Sequence, residues 1–190
     1  MPNIESTLQP TYPKGRTSGV TVIELMVVVS VIAILTMVSM PGFQTVLDNY
    51  RVRRATEDLI ATIYLARTEA IKRGGEVVLR KSVPAGCAGS STTAQWECGW
   101  YVFLDLNNNN LLDGAESVIQ SSPIATGVDI RFTSNHAVMP IDRWGQFNGS
   151  GAFGFIIKSS RTASSTQPAA LCMTSGGRLA TKAGATLCQV

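Results

Sequence analysis

The sequence predicts an α+β protein, in which one long N-terminal helix packs on an antiparallel β-sheet domain. Three observations predict it. An unbroken apolar run begins at Val20. Apolar residues then recur at three- and four-residue spacings as far as Ile71. Beyond Gly74-Gly75 the text breaks into short strand-like segments separated by Gly, Asn and Ser.

The first eighteen residues are polar, with Pro2, Pro10 and Pro13, and their cations Lys14 and Arg16 stand close to the run. They read as a disordered leader. From Val20 to Met40 there are 21 residues, among which Glu24 is the only ionisable one. At 1.5 Å per residue a helix of that length covers about 31 Å, enough to span a bilayer. A buried core helix would show a polar face, and a secretory signal would end in a small-residue cleavage site. This run shows only Ser30, Thr36 and Ser39 as polar breaks and passes into Pro41-Gly42 and then a helical pattern. A retained anchor fits best.

After Pro41, the residues Phe43, Val46, Leu47, Tyr50, Leu59, Ile63, Ala66, Ala70 and Ile71 form the expected packing face. Gly74-Gly75 supplies the stop. The expected strands are "EVVLRK", "GWYVFLDL", "ESVIQ", "VDIRFT" and "GAFGFIIKSS", followed by a hairpin from "ALCMTSGG" to "RLATK". Trp96, Trp100 and Trp144 are expected in the core or on a sheet face.

Composition narrows the function classes. A net charge of +3 over 190 residues is mild, and from Ser82 onward six basic residues face six acidic ones, so no dense patch for nucleic acid is visible. The four cysteines, Cys87, Cys98, Cys172 and Cys188, form no CxxC pair, and His136 is the only histidine. Zinc sites draw on close Cys/His pairs, so two disulfides in an oxidising compartment are the better reading. Four cysteines allow three pairings. The expected one is local, Cys87–Cys98 and Cys172–Cys188. No GxSxG, phosphate-binding loop or paired catalytic carboxylates occur, and the chain is not expected to be an enzyme. The positive-inside rule places Lys14 and Arg16 in the cytoplasm, Arg51, Arg53 and Arg54 oppose it, and the disulfides decide the orientation by placing the C-terminal domain outside.

One loop carries a candidate metal site. In "DLNNNNLLDGAE", residues 105–116, oxygen-bearing side chains fall at the first, third, fifth, ninth and twelfth positions: Asp105, Asn107, Asn109, Asp113 and Glu116. Leu111 offers a carbonyl at the seventh. This is the spacing of a calcium loop, with Asn110 where the sharp turn calls for Gly. The flanks read as strands, and Asn is also what a plain turn uses. Calcium is the one candidate cofactor; otherwise none is expected.

"SGVTVIEL" resembles the processing site of type IV pilins and type II secretion pseudopilins. In that class a short basic leader ends in Gly, the next residue starts the mature chain, and a Glu lies four residues on. Gly19, Val20 and Glu24 match, with Val20 where Phe is usual, and Pro41 matches a helix-kinking proline. The order of "LARTEAIKRG", "GWYVFLDLNNNNLLDGAE" and a late "CMTSGGR" resembles the GspH/FimT family over nearly all of residues 19–190.

The resemblance implies a cleaved leader at 1–19, a transmembrane and filament-core helix at 20–41, an amphipathic helix at 42–75 and a periplasmic β domain at 76–190. It implies a minor subunit of a pseudopilus or pilus, held in the bacterial inner membrane, cut and methylated by a prepilin peptidase, and partnered by other pilin-type subunits. Cutting after Gly19 would give Val20 a free α-amine, the natural partner for Glu24 inside an apolar bundle, because each charge removes the other's desolvation penalty. Glu24 and Pro41 are thus the expected assembly residues. Some family members resemble DNA-capturing pilins with a C-terminal Gly-Arg-x-Arg loop. Here "GGRLATK" keeps Arg178, has Ala180 for the second arginine, and places Lys182 two further on, so nucleic-acid binding is expected to be weak or absent.

Overall fold

The computed structural model describes residues 19–87, 92–123, 125–147, 151–161 and 166–188, with the side chains of 38–41 also outside that description. The leader expected at 1–18, and the side chain of Pro41, therefore lie outside the described residues. The chain forms two compact units, Met1–Met40 and Pro41–Val190. Helix α1, Val22–Arg73, runs through both.

In the first unit every described side chain from Val20 to Met37 is exposed. The two hydroxyls in this stretch turn back onto the helix. Ser30 Oγ donates to the Met26 carbonyl at 2.7 Å, and Thr36 Oγ1 to that of Ala33 at 2.8 Å. Bonded this way, neither hydroxyl needs an outside partner in apolar surroundings. Among the described residues no single helix is long and apolar enough to cross a membrane. The bent pair Val22–Met37 and Gly42–Arg73 passes that test by length and composition.

The second unit has its own core. The α1 residues that enter it are Val52, Ala55, Leu59, Ile63, Ala66 and Ala70, at helical spacing. Phe43, Val46, Tyr50 and Ile71, expected on the same face, are instead exposed. The apolar list read from the sequence had merged two faces, because spacing alone does not say which stripe meets the sheets. Gly74 ends the helix at φ +80°, a conformation that costs glycine little, and the Gly75 N–H reaches back to the Ala70 carbonyl at 2.8 Å.

Two four-stranded antiparallel sheets complete the unit. Strands β1 (Val77–Lys81), β2 (Trp100–Leu104), β3 (Val118–Ser122) and β5 (Val138–Ile141) form the first, in the order β3-β2-β1-β5. Strands β4 (Val128–Phe132), β6 (Phe153–Ser159), β7 (Ala169–Met173) and β8 (Leu179–Ala183) form the second, in chain order. Alternate residues Val128, Ile130 and Phe132 on β4, and Phe153, Phe155 and Ile157 on β6, point inward, as the two-residue period of a strand dictates. They meet Trp96, whose ring lies edge-on to Phe155 at 5.3 Å between centroids. Trp96 and Trp100 are buried, and Trp100 Nε1 donates to Thr62 Oγ1 on α1 at 3.1 Å.

Two expectations need correcting. Strand β5 (Val138–Ile141) is not among the expected strands. Here β5 is the edge of its sheet, where the missing N–H of Pro140 does no harm. Trp144 is 73% exposed, not in the core. It sits in the turn after β5, where Asp142 Oδ1 accepts the N–H groups of Trp144 and Gln146 at 2.9 and 2.8 Å.

Candidate functional site

The candidate assembly site begins at the start of α1. Thr21 precedes the helix, and its Oγ1 accepts the Glu24 N–H at 3.3 Å, while its carbonyl accepts the Leu25 N–H at 3.2 Å. Thr21-Val22-Ile23-Glu24 therefore has the threonine half of a capping box, with the glutamate at its third helical position. A carboxylate here also opposes the positive end of the helix dipole. Glu24 thus has a local structural role, legible in the T-x-x-E spacing but missed there. Gly19, Val20 and Glu24 are all exposed, so within this chain the carboxylate stays outside any core.

The cysteines pair as Cys87–Cys98, 11 residues apart, and Cys172–Cys188, 16 residues apart. The second bond fastens the chain's last described residues to β7. Cys188 sits where a Cβ on Gly154 would be: that atom would stand 2.1 Å from the sulfur and 2.8 Å from the Leu171 carbonyl. Gly154 faces Cys172 across the β6–β7 ladder, so the absence of a side chain makes room for the bond.

The 105–116 loop folds upon itself. Asp105, 2% exposed, accepts the Asn109 N–H at 3.0 Å with one oxygen and the Asn110 N–H at 2.8 Å with the other. Asn109 Oδ1 accepts the Leu111 N–H, and Asp113 accepts the side-chain amides of Asn107 and Asn109. Glu116 accepts the N–H groups of Leu106 and Asp113. Arg80 donates to the Asn110 carbonyl. Asn108 and Asn110 take φ near +60°, which Asn tolerates better than most side chains. The side chains of Asp105, Asn107, Asn109, Asp113 and Glu116 thus each accept from the loop's own donors. Among the described residues no group of three or more His, Cys, Asp or Glu could hold a metal ion. The calcium reading gives way to a turn closed by its own hydrogen bonds.

Two arginines that the sequence did not single out tie α1 to the sheets. Arg67 donates through Nε to the Gly145 carbonyl at 2.8 Å and through a terminal nitrogen to that of Gly177 at 2.7 Å. It thereby bridges the turn after β5 and the β7–β8 turn, one from each sheet. Arg161, which follows β6, approaches the buried carboxylate of Asp48 at 3.7 Å and Gln44 Oε1 at 2.5 Å, while Arg51 holds the other Asp48 oxygen at 3.2 Å. No motif marks such residues, since their partners lie far off in the chain.

Arg178 is exposed in the β7–β8 turn, and Lys182 is exposed four residues on, along β8. Their positions leave two cations on a strand edge, with no aromatic platform between them in sequence.

A helix whose apolar first half is exposed, and whose second half enters the core of two antiparallel sheets, has the architecture of a pilin-type subunit. The model of the family described as type II transport protein GspH matches residues 55–177, and the chain belongs to that family. Among solved structures, the type IV minor pilin FimU of Pseudomonas aeruginosa is similar in two crystal forms. Each is 14% identical, with TM-scores of 0.51 and 0.53, covering 68% and 69% of this chain and 91% and 87% of that one. At that identity the likeness is one of fold. No curated protein matches the chain by sequence.

Proposed function

We infer that the chain is a minor subunit of a type II secretion pseudopilus or a type IV pilus, acting in filament assembly or at the tip. Before assembly it waits in the bacterial inner membrane as a single-pass protein, with residues 76–190 in the periplasm. A prepilin peptidase removes residues 1–19 and methylates Val20. Residues 20–41 then move from bilayer to filament core, where Glu24 neutralises a neighbouring α-amine and sets the register.

The observation that carries this reading is the stretch Val20–Met37, whose side chains are all exposed among the described residues. An apolar surface of that length must be covered by lipid or by other subunits. The GspH match supports the second of these. Glu24→Ala tests it. Removing the carboxylate makes the run more apolar, so membrane insertion should be unchanged or better. Recovery in sheared filaments should fall while the membrane pool persists. Wild-type recovery of the alanine variant would refute the register role.

The alternative, a pilin that captures DNA, rests on Arg178 and Lys182. Two phosphate contacts give a salt slope of about −2 and little affinity at physiological salt. Gel shifts that stay tight at physiological salt, and vanish in Arg178→Ala, would favour it.

A further inference from the structure

The exposed apolar residues at the start of the second unit need an occupant, and their surroundings indicate one. Phe43 is 65%, Val46 63% and Tyr50 62% exposed, although each was expected to pack. At about 100° per residue they fall within one arc of roughly 60° on the helix surface, with Arg53 on one flank and Arg54 on the other. Between Phe43 and Arg54 the acidic side chain is Asp48, which is 1% exposed and held by Arg51 and Arg161. The outward-facing charges of this stretch, Arg51, Arg53 and Arg54, are therefore all positive. Glu57, which pairs with Arg53 at 2.8 Å, and Asp58 lie one turn further on.

Phe43 follows the apolar run by only three residues. An aromatic-bearing apolar strip, flanked by arginines and adjoining a membrane-length run, has the chemistry of a bilayer interface. We propose that the face formed by Phe43, Val46, Tyr50, Arg53 and Arg54 docks on the headgroups of anionic phospholipids while the subunit waits in the membrane. This rests on the membrane reading given above.

The docking has a geometric consequence. Phe43 and Arg54 are 11 residues apart, about 16 Å along a helix. The headgroup layer on one side of a bilayer is only about 5–8 Å thick. An upright helix would lift Arg54 clear of it, so this stretch must lie oblique to the bilayer in the waiting state. Entry into a filament would then free the same strip for a neighbouring subunit.

The test uses the full chain in bilayer discs of phosphatidylcholine alone or of phosphatidylcholine mixed with phosphatidylglycerol, one chain per disc. A nitroxide on Val46→Cys reports depth through its accessibility to oxygen and to a water-soluble nickel chelate, and one on Val29→Cys reports whether the run is inserted. The Val46 label should be shielded from nickel in the mixed discs and exposed in phosphatidylcholine. Arg53→Gln and Arg54→Gln should each reduce the docked population by roughly fivefold, as for one cation near an anionic surface. If Val29 is inserted and Val46 meets nickel equally in both discs, the face belongs to another subunit and the proposal falls. Equal shielding in both discs overturns the anionic preference. A Val29 label open to nickel overturns this proposal and the membrane reading together.

Discussion

The Arg67 guanidinium and the Gly177 carbonyl meet at 2.7 Å across 110 residues of chain. The same guanidinium holds Gly145. Gly177 lies at φ +78°, and a Cβ there would stand 2.8 Å from Arg67. One fork thus locks α1, the turn after β5 and the β7–β8 turn together, and it needs glycine on the far side.

Arg67→Ala should cost about 2–4 kcal/mol, since two charge-assisted hydrogen bonds to carbonyls are lost. Arg67→Lys should recover less than half of that, because a single ammonium cannot serve both carbonyls in the fork geometry. Urea melts of the two variants decide it. Equal stability of the lysine variant and the wild type would show that charge, not the fork, matters.

Gly154→Ala should keep Cys172 and Cys188 apart. The new methyl would stand 2.1 Å from the Cys188 sulfur, and the Leu171 carbonyl at 2.8 Å blocks an easy shift. Thiol titration of the unfolded variant should then find two free cysteines where the wild type has none. Stability should drop by about 3 kcal/mol or more, the chain-entropy contribution of a loop this size. A fully oxidised variant would mean that the ladder opens to admit the methyl.

Asp105→Ala should destabilise the 105–116 loop by about 1–3 kcal/mol, because two backbone N–H groups lose their acceptor. Millimolar calcium against chelator should leave the wild-type melting temperature unmoved. A calcium-dependent rise that disappears in Asp105→Ala and Glu116→Ala would restore the metal reading.

The division between what was legible and what was not follows physical range. The helix start, its stop at Gly74-Gly75, the local disulfides and most strands are set by residues close in sequence, and the text shows them. The Arg67 fork and the Asp48–Arg161 pair depend on partners about 80 to 110 residues away, and the first sheet pairs Val77 with Ile141 across the intervening strands, which no local spacing encodes. Strand β5 was missed because a four-residue edge strand containing Pro140 shows little alternation. Trp144 misled because a large aromatic is usually buried, and only tertiary structure shows a turn that points it outward. The 105–116 spacing fits two readings, because Asp and Asn side chains serve a loop's own N–H groups as readily as an ion.

Lys81 is 2% exposed on β1 and donates to the Thr92 carbonyl. Burial pushes its ammonium below the ordinary lysine value, against the opposing pull of Glu97. Between that lowered value and 10.5, the unfolded chain holds a proton that the native chain has released. Stability should therefore rise with pH through this window as the burial penalty is relieved. The stability of Lys81→Met relative to wild type should fall over the same window. Denaturant melts of both at neutral and alkaline pH measure the difference, and a difference independent of pH would contradict the burial argument.

If this chain is processed and built into a filament, the N-terminus of its filament form records the cut. Mass spectrometry of sheared surface or pseudopilus filaments tests it most directly. Filaments should yield a chain that begins at Val20, carries a methylated amine and both disulfides, and is missing when Gly19→Val blocks cutting. An intact Met1 start in assembled filaments, or an uncut Gly19→Val chain recovered in them at wild-type level, would contradict this expectation.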